Sequence, residues 1–297
     1  MQGLILLNKP QNLTSFSAVS AIKRIAQEKR VGHTGTLDPM ATGVLPVLLG
    51  RATSLSSLLI DADKRYIAGI KLGITTDTDD ITGNILSERN VKISDSDIEN
   101  AVKHFMGKYE QIPPIYSAIK KDGVRLYKLA REGKTTDIPA REIEIFDLKL
   151  LSPLNKENVF YVDAYVSKGT YIRSLARDIG DYLGTGATLS SLERNFASGF
   201  SISDCVNLED LTCENISEYI LNEEVAVKHL REINVTEKQA VRFCNGGQLG
   251  FERIKVKDIN PRELFRIKYS NQFLGVGFAD CEKSQIGIKC IINYPEV

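Results

Sequence analysis

The chain has 297 residues, 42% of them hydrophobic and 26% charged, and its 38 basic residues balance 38 acidic ones. This composition is ordinary for a soluble globular protein, and no apolar run has the length of a transmembrane helix. Five cysteines without a Cys-x-x-Cys pair and three scattered histidines argue against a disulfide scaffold and against a metal enzyme.

The predicted elements start with a short apolar run, "LILLN", which lacks the basic leader and cleavage site of a signal peptide. This run predicts a buried strand of a cytoplasmic protein. Apolar residues at helical spacing then predict a helix from about Thr14, with Thr14 or Ser15 as its N-cap. Beyond the glycine-rich stretch 32–45, further patterns predict strands in "VLPVLLG" and "KRYIAGIKLG" and helices in "ATSLSSLLIDAD" and "DSDIENAVKHFMG".

The second half of the chain continues this mixture of strands and helices. The patterns predict a short helix in "RLYKLAREG", strands in "EIEIFDLKLL" and "NVFYVDAYVS", and a helix in "GTYIRSLARDIGDYLG". Several strand pairs are close in sequence, which favours an α+β fold with a mixed or antiparallel sheet over strict βαβ alternation. After an acidic boundary at 203–224, a small β-rich domain is expected. We therefore predict a larger domain over residues 1–225 and a C-terminal domain over residues 228–297.

The neutral net charge hides a strongly uneven distribution. Residues 1–60 carry six basic and two acidic residues, and residues 103–134 carry eight basic and three acidic ones. Residues 203–224 carry seven acids and no base. Such basic regions are typical of nucleic-acid contact, although solvated surface charges would give the same pattern.

The glycine-rich stretch "GHTGTLDPMATGVL" has no lysine, so it is not a phosphate-binding P-loop. Complete dinucleotide-binding, nucleophile-elbow and zinc-protease motifs are also absent from the sequence. Its single acid, Asp38, precedes a proline, and such an Asp ordinarily starts a turn. The flanking glycines would let another chain approach the backbone closely. Asp38 is therefore also a candidate nucleophile or base on a rigid turn.

This stretch, extended to "GHTGTLDPMATGVLPVLLG", resembles the signature of the TruB family of tRNA pseudouridine synthases. Other blocks resemble that family in the same order: "LNKPQNLTS", "DKRYIAGIKLGITTDTDDITG", "QIPPIYSAIKKDGVRLYKLAREG", "SKGTYIRSLARDIG" and "GATLSSLERNF". The resemblance covers residues 3 to about 200. The C-terminal part resembles, more weakly, the family's small β-rich domain related to the PUA RNA-binding domain.

The resemblance implies an isomerase that converts uridine 55 in the T-arm of tRNA to pseudouridine, without a cofactor or a metal. It implies that Asp38 is the catalytic residue, that Arg173 pairs with it, and that Tyr66 lies against the uracil. By default Arg173 would be a surface ion pair and Tyr66 a core aromatic. Asp38 could stabilise an oxocarbenium-like centre, add to C1′ or remove the C2′ proton, and the sequence leaves these three roles open.

The resemblance also implies a set of substrate-binding residues. Tyr171 would lie on the other side of the pocket, and Leu192 would form a wall. His33 would help to extrude the uridine, because a base inside a folded tRNA arm must be flipped out to reach an enclosed carboxylate. Lys9 is placed with this group, and a structural or phosphate-facing role suits it better than catalysis. Without the resemblance, each of these residues would be an ordinary core or loop side chain.

An RNA-gripping insertion is expected at about 113–140. Its basic side chains are expected to contact the RNA backbone: Lys120, Lys121, Arg125, Lys128 and Arg131. Arg125 and Lys128, with Lys121 beyond, could share one side of the predicted short helix. Near the final block the sequence departs from the family, since Glu193 replaces a basic residue while Arg194 remains. That departure affects expected RNA contacts at this edge.

The expected partner is the T-stem-loop of tRNA, bound by a monomer without a membrane. Two other functions fit the same resemblance. One is a tRNA-binding folding chaperone with little catalysis, against which the presence of Asp38, Tyr66 and Arg173 argues. The other is the catalytic subunit of a guide-RNA pseudouridylation particle, which usually carries long basic extensions that this sequence does not show.

Overall fold

The computed structural model describes residues 1–60, 62–117, 120–121, 124–125, 138–254 and 256–295. Its strands are β1 (Gly3–Lys9), β2 (Val31–His33), β3 (Thr42–Leu49), β4 (Lys64–Leu72), β5 (Ile74–Thr76), β6 (Ile85–Glu88), β7 (Gly107–Gln111), β8 (Lys120–Lys121), β9 (Val124–Arg125), β10 (Arg141–Ser152), β11 (Val159–Val166), β12 (Ala187–Ala197), β13 (Phe200–Ser201), β14 (Val206–Asn207), β15 (Arg231–Asn234), β16 (Leu249–Gly250), β17 (Leu264–Tyr269), β18 (Gln272–Asp280) and β19 (Gln285–Ile291). Its α-helices are α1 (Ser15–Ile25), α2 (Ser56–Ile60), α3 (Asp95–His104), α4 (Ile172–Tyr182) and α5 (Glu237–Cys244). Short 3₁₀ helices span Gly50–Leu55, Ile202–Asp204, Leu208–Asp210, Ile216–Tyr219, Glu223–Val227 and Phe251–Arg253.

In the described part of the chain, ten strands form one sheet whose main order is β14-β1-β3-β12-β4-β11-β10-β7. Most neighbours are antiparallel, while β1 with β14 and β3 with β12 are parallel. Side chains from α1, α3 and α4 are buried together against this sheet. A second sheet has the order β15-β17-β18-β19-β16. The mixed sheet, the helices on it and the separate β-rich part confirm the predicted α+β fold.

Local sequence signals account well for the helices. Thr14 is the N-cap of α1, and its hydroxyl accepts a hydrogen bond from the backbone N–H of Ser17 at 3.0 Å. Helix α3 starts with a capping box between Ser94 and Asp97. The predicted helix in "ATSLSSLLIDAD" consists instead of a 3₁₀ helix followed by the short α2. None of the described helices is long and apolar enough to cross a membrane.

Strand β1 is buried on both faces, which explains its continuous apolar sequence. Ile5 and Leu7 join the core that α1, α3 and α4 cover. Leu4 and Leu6 point to the opposite face, where they pack in a second cluster that includes Val276 of β18. The C-terminal sheet thus covers the back of the main sheet. The predicted domain division at 225–228 falls between the two sheets in sequence and stays a prediction.

Strands β3 and β12 approach each other very closely at Gly43. This glycine pairs with Arg194 in the parallel ladder and has a φ of +105°. A Cβ atom on Gly43 would overlap the carbonyl oxygen of Arg194. We expected the glycines of this stretch to admit another chain, such as RNA. At Gly43 that expectation is wrong, because the chain admitted there is the protein's own strand β12.

Replacing Gly43 with alanine should therefore destabilise the fold more than replacing Gly107. Both glycines have a positive φ, +105° and +93°, so either alanine incurs a backbone strain of about 1–2 kcal/mol. No described atom lies within 4 Å of a Cβ built on Gly107, whereas the overlap at Gly43 adds about 1–3 kcal/mol. Urea unfolding midpoints of Gly43→Ala and Gly107→Ala measure the difference, and equal midpoints would contradict this explanation.

Candidate active site

A cleft of about 320 Å³ opens where the loop before β3 meets β4, β12 and the start of α4. Its volume falls within the range usual for small-ligand sites. Five predicted site residues contribute to its described lining: Asp38, Tyr66, Tyr171, Arg173 and Leu192. The structure therefore brings together residues that are widely separated in the sequence. His33 and Lys9 lie outside this lining.

Asp38 and Arg173 form a two-point ion pair. The guanidinium Nε lies 2.9 Å from Oδ2 of Asp38, and Nη2 lies 3.2 Å from Oδ1. Such parallel contacts fix the orientation of a carboxylate as well as its charge. The side chain of Arg173 is 7% exposed, but that of Asp38 is 32% exposed. The carboxylate is thus held from one side and remains accessible from the cleft.

Arg173 is itself held by three further contacts. Its Nη1 donates to the carbonyl oxygen of Thr78 at 2.9 Å, and its Nη2 donates to that of Tyr116 at 3.0 Å. The carboxylate of Asp80 lies 3.7 Å from Nη1 and is also buried. Two carboxylates, those of Asp38 and Asp80, therefore lie beside one guanidinium group. Their negative charges offset the desolvation free energy of the buried positive charge.

The local electrostatics shift the ionisation of Asp38. Burial of the carboxyl raises its pKa, and the negative charge of Asp80 acts in the same direction. The positive charge of Arg173 and its hydrogen bond oppose this shift, and the net direction is upward. Perturbed carboxyls in clefts are typical of functional sites.

Lys9 lies beneath the loop that carries Asp38 and is fully buried. Its Nζ donates to the carbonyl oxygens of Pro10 at 2.8 Å, Leu13 at 2.7 Å and Pro39 at 3.4 Å. Burial lowers the pKa of Lys9 to about 8, although the charge of Asp38 opposes this shift. With its donors directed at backbone carbonyls, Lys9 holds the loop, and this geometry favours the structural alternative over substrate contact.

Two other side chains fasten the same loop. The hydroxyl of Ser15 accepts from the N–H of Leu37 at 2.8 Å and donates to its carbonyl oxygen at 3.0 Å. Arg194 donates to the carbonyls of Val44 at 2.9 Å and Gly35 at 3.2 Å. Arg194 itself is only 1% exposed. Arg194 is therefore part of the loop's support, whereas its sequence position suggested an edge that contacts RNA.

The other lining side chains come from the sheet and from the first turn of α4. Tyr66 of β4 is 7% exposed and shares a core face with Ala68. Leu192 of β12 pairs with Ala68 and is 8% exposed. Tyr171 is the N-cap residue of α4, and burial raises the pKa of its phenol. Two aromatic rings and one aliphatic side chain thus flank the Asp38 carboxylate.

His33 lies on β2, beside the cleft. Burial and the nearby charge of Arg194 lower the pKa of its imidazole, so the neutral form is favoured. Among the described residues, neither Nδ1 of His33 nor the buried hydroxyl of Thr34 has a hydrogen-bond partner. Buried polar atoms without partners are uncommon in folded proteins, so these two atoms are an unusual feature of this segment.

The basic insertion is described only in part. Lys120–Lys121 and Val124–Arg125 form an antiparallel two-stranded hairpin. The predicted helix over residues 125–133 is therefore wrong at Arg125, whose backbone is extended and paired in this hairpin. Lys128, Arg131 and the rest of the predicted helix lie outside the described residues. Contact of these five basic side chains with RNA stays a prediction.

Two family profiles together match residues 23–234 of the chain. The profile of "TruB family pseudouridylate synthase (N terminal domain)" matches residues 23–172. The profile of "tRNA pseudouridylate synthase B C-terminal domain" matches residues 173–234. The chain belongs to the TruB family. The matched N-terminal region contains Asp38, Tyr66 and Tyr171, and the second match begins at Arg173.

Individual relatives agree with this assignment. A protein of Clostridium tetani named tRNA pseudouridine synthase B is 43% identical over 98% of this chain and 99% of its own length. One from Clostridium perfringens with the same name is 40% identical over 94% of this chain and 96% of its own length. A chain from a crystal structure of a Cbf5-Nop10-Gar1 complex superposes with a TM-score of 0.74 at 26% identity, covering 99% of this chain and 84% of that chain.

The sequence did not predict three contributions to this TruB-family site. Ser15 and Arg194 support the loop that carries Asp38, and Asp80 is a second acid beside Arg173. Asp80 belongs to the acidic run "DTDD", and a search for a second partner of the predicted Arg173 could have found it. Ser15 was considered only as a helix cap. Among the described residues, no group of three or more His, Cys, Asp or Glu side chains could hold a metal ion.

Changing Asp80 to asparagine should lower the pKa of Asp38. The change removes a neighbouring negative charge, and this favours the ionised carboxylate. NMR titration of the labelled Asp38 carboxyl measures the shift. Asp181→Asn, which removes an exposed acid of α4 that is not among the charges acting on Asp38, is the control. An unchanged or higher Asp38 pKa in Asp80→Asn would contradict the assigned role of Asp80.

Proposed function

We propose that this TruB-family chain is a tRNA pseudouridine synthase that isomerises uridine 55 in the T-arm of tRNA to pseudouridine. We further propose that it acts in the cytoplasm as a monomer. The observation that carries the proposal is the Asp38 carboxylate, fixed by Arg173 and open to a cleft walled by Tyr66, Tyr171 and Leu192. The relatives named tRNA pseudouridine synthase B support the same activity.

The chemistry matches what these side chains can supply. In the reaction the N1–C1′ glycosidic bond breaks, the base turns, C5 bonds to C1′, and the hydrogen on C5 is lost while N1 gains one. Substrate and product have the same composition, so no group enters and no electron is transferred. The reaction needs a carboxylate at the ribose and a group that moves a proton at the base. Enzymes of this kind are isomerases.

Asp38 is positioned to serve at the ribose. Because Arg173 binds both carboxylate oxygens from behind, the free side of the carboxylate faces the cleft. A carboxylate there can stabilise positive charge at C1′, add to C1′ or take the C2′ proton, and the same geometry serves all three roles. Each of these roles needs the ionised carboxylate, so we expect the rate of the chemical step to fall at low pH as Asp38 becomes protonated. Because the pKa of Asp38 is raised, this loss should begin at a higher pH than for an ordinary aspartate.

The uracil fits between the apolar and aromatic walls. We assign Tyr66 to one side of the base, where its phenol can take the C5 proton, and Tyr171 and Leu192 to the rest of the wall. A base reaches this recessed site only when it is flipped out of the RNA, at a cost of a few kcal/mol. Neutral His33, whose Nδ1 has no described partner, lies beside the cleft and can fill the space that the uridine leaves.

Two other functions are less well supported. A guide-RNA particle subunit shares the fold, as the similarity to a chain of the Cbf5-Nop10-Gar1 complex indicates. The more similar relatives, at 40–43% identity over nearly their full lengths, carry the tRNA synthase name instead. A chaperone that binds tRNA without chemistry would not require the paired Asp38, and this difference can be tested directly.

Wild-type protein should release tritium from tRNA labelled at C5 of uridine, and Asp38→Asn should not. Asparagine keeps the shape of the side chain but removes the charge and the proton acceptor, so the rate should fall by at least about 100-fold. Binding of tRNA should persist, because the variant retains the basic surfaces. Asp181→Asn serves as the control. Release by Asp38→Asn within tenfold of the wild-type rate would overturn the catalytic role of Asp38. Absence of release by the wild type itself would favour the chaperone alternative.

Changing Lys120, Lys121 and Arg125 together to alanine should weaken tRNA binding and flatten its salt dependence. Each lost phosphate contact removes about 0.7–0.9 from the slope of log K against log salt. The control variant replaces three exposed lysines around α3 with alanine: Lys92, Lys103 and Lys156. Equal slopes for the two variants would leave these basic residues of the insertion as ordinary solvated charges.

A further inference from the structure

The side chain of Gln111, at the end of β7, binds the backbone of Tyr171. Its Oε1 accepts the N–H of Tyr171 at 2.8 Å, and its Nε2 donates to the carbonyl oxygen of the same residue at 3.1 Å. The Nε2 group also donates to the phenol oxygen of Tyr109 at 2.8 Å. Gln111 is only 1% exposed. A buried carboxamide is costly unless it is hydrogen-bonded, so all three bonds are needed.

The residues that follow Gln111 continue this attachment to α4. The carbonyl oxygen of Ile112 accepts from the hydroxyl of Ser174 at 2.9 Å and from Nη2 of Arg177 at 2.8 Å. Further along, the carbonyl of Tyr116 accepts from Arg173. Segment 111–116, which leads into the basic insertion and includes its first residues, is thus bonded to residues 171–177. This set of bonds joins the segment to the first turns of α4, the helix that carries Arg173.

Within the described part of the chain, the hydrogen bonds to the Tyr171 backbone come from Gln111 and from the helix itself. Tyr171 is the N-cap of α4, and its side chain makes no capping hydrogen bond. Its carbonyl oxygen also accepts the helical bond from Leu175 at 3.0 Å. Gln111 therefore holds the peptide groups from which both the Tyr171 side chain and α4 start.

We propose that Gln111 is a positioning residue for pseudouridine formation, acting on Tyr171 and, through the first turn of α4, on Arg173. The inference rests on the proposed function. Gln111 lies at the root of the basic insertion, so one side chain connects the part of the protein expected to contact RNA with the part that holds the flipped base. Its loss would displace a cleft wall without removing any group that contacts the reacting atoms.

The first test replaces Gln111 with leucine, which is similar in size but removes all three hydrogen bonds. We expect single-turnover tritium release at saturating tRNA to fall by about 10- to 100-fold, the usual effect of a small displacement in an active site. The dissociation constant for tRNA should stay within about twofold of wild type. Glu110→Gln, at an exposed position of the same strand, is the control and should retain the wild-type rate.

The second test replaces Gln111 with glutamate and compares rates from pH 8.5 to pH 5.5. A protonated glutamic acid presents one acceptor and one O–H donor, so it can restore both bonds to the Tyr171 backbone but not the bond to Tyr109 as well. The ionised form can only accept. The ratio of the variant's rate to the wild-type rate should therefore rise as the pH falls, and this ratio cancels the titration of Asp38. Other titratable or charged groups surround position 111 in both proteins and are unchanged by the substitution. The described ones include Tyr109 of β7, Arg141 of β10, Tyr171 at the N-cap of α4, and Arg177 and Asp178 of α4.

A purely structural role for Gln111 would change melting temperatures but not the rate per active protein, counted by tRNA-binding stoichiometry. A wild-type single-turnover rate in Gln111→Leu would overturn the proposal. So would a Gln111→Glu rate ratio that is independent of pH. If wild type and Glu110→Gln released no tritium, the proposed function would fail and this proposal with it. Release by the wild type and the leucine variant alike would overturn only the positioning role.

Discussion

The ion pair between Asp38 and Arg173 is the interaction on which the rest of the site depends. A partly buried carboxylate needs a fixed positive partner, and that partner needs acceptors for its remaining donors. Arg173 finds them in the carbonyls of Thr78 and Tyr116 and in the nearby carboxylate of Asp80. Four distant parts of the chain must therefore meet at one guanidinium group. Asp38 and Arg173 alone are 135 residues apart in sequence.

The sheet supplies the rigid frame for this meeting. The parallel pairing of β3 with β12 brings Arg194 under the loop that carries Asp38, and Gly43 makes the pairing close enough. Lys9 and Ser15 then hold the loop from β1 and α1 by bonds to its backbone. Because these contacts are to backbone atoms, they fix the position of the loop whatever its side chains do. The Asp38 carboxylate thus lies above a support of buried polar groups.

Patterns with strong local causes were predictable from the sequence. Apolar alternation and caps located β1, α1, α3, β10 and β11, and the mixture of elements indicated the α+β fold. Local rules could not decide between turn former and catalyst for Asp38, and the choice came from the resemblance of ordered blocks. Asp80 and Arg194 were missed because their roles depend on partners brought near by the fold. No local sequence pattern shows that Arg194 lies opposite Gly43. The positive charge of Arg194 therefore suggested contact with RNA, whereas in the structure this side chain is buried and supports the loop.

The two-sided burial of β1 has a consequence for the C-terminal sheet. Leu4 and Leu6 pack with side chains of β18, so the C-terminal part completes a core that the N-terminal part cannot close alone. A shorter chain that lacks this sheet would expose an apolar surface on the back of the main sheet, and such surfaces promote aggregation. The inner face of the C-terminal part is therefore constrained by packing. Sequence change can accumulate on its outer surface while this inner layer is kept.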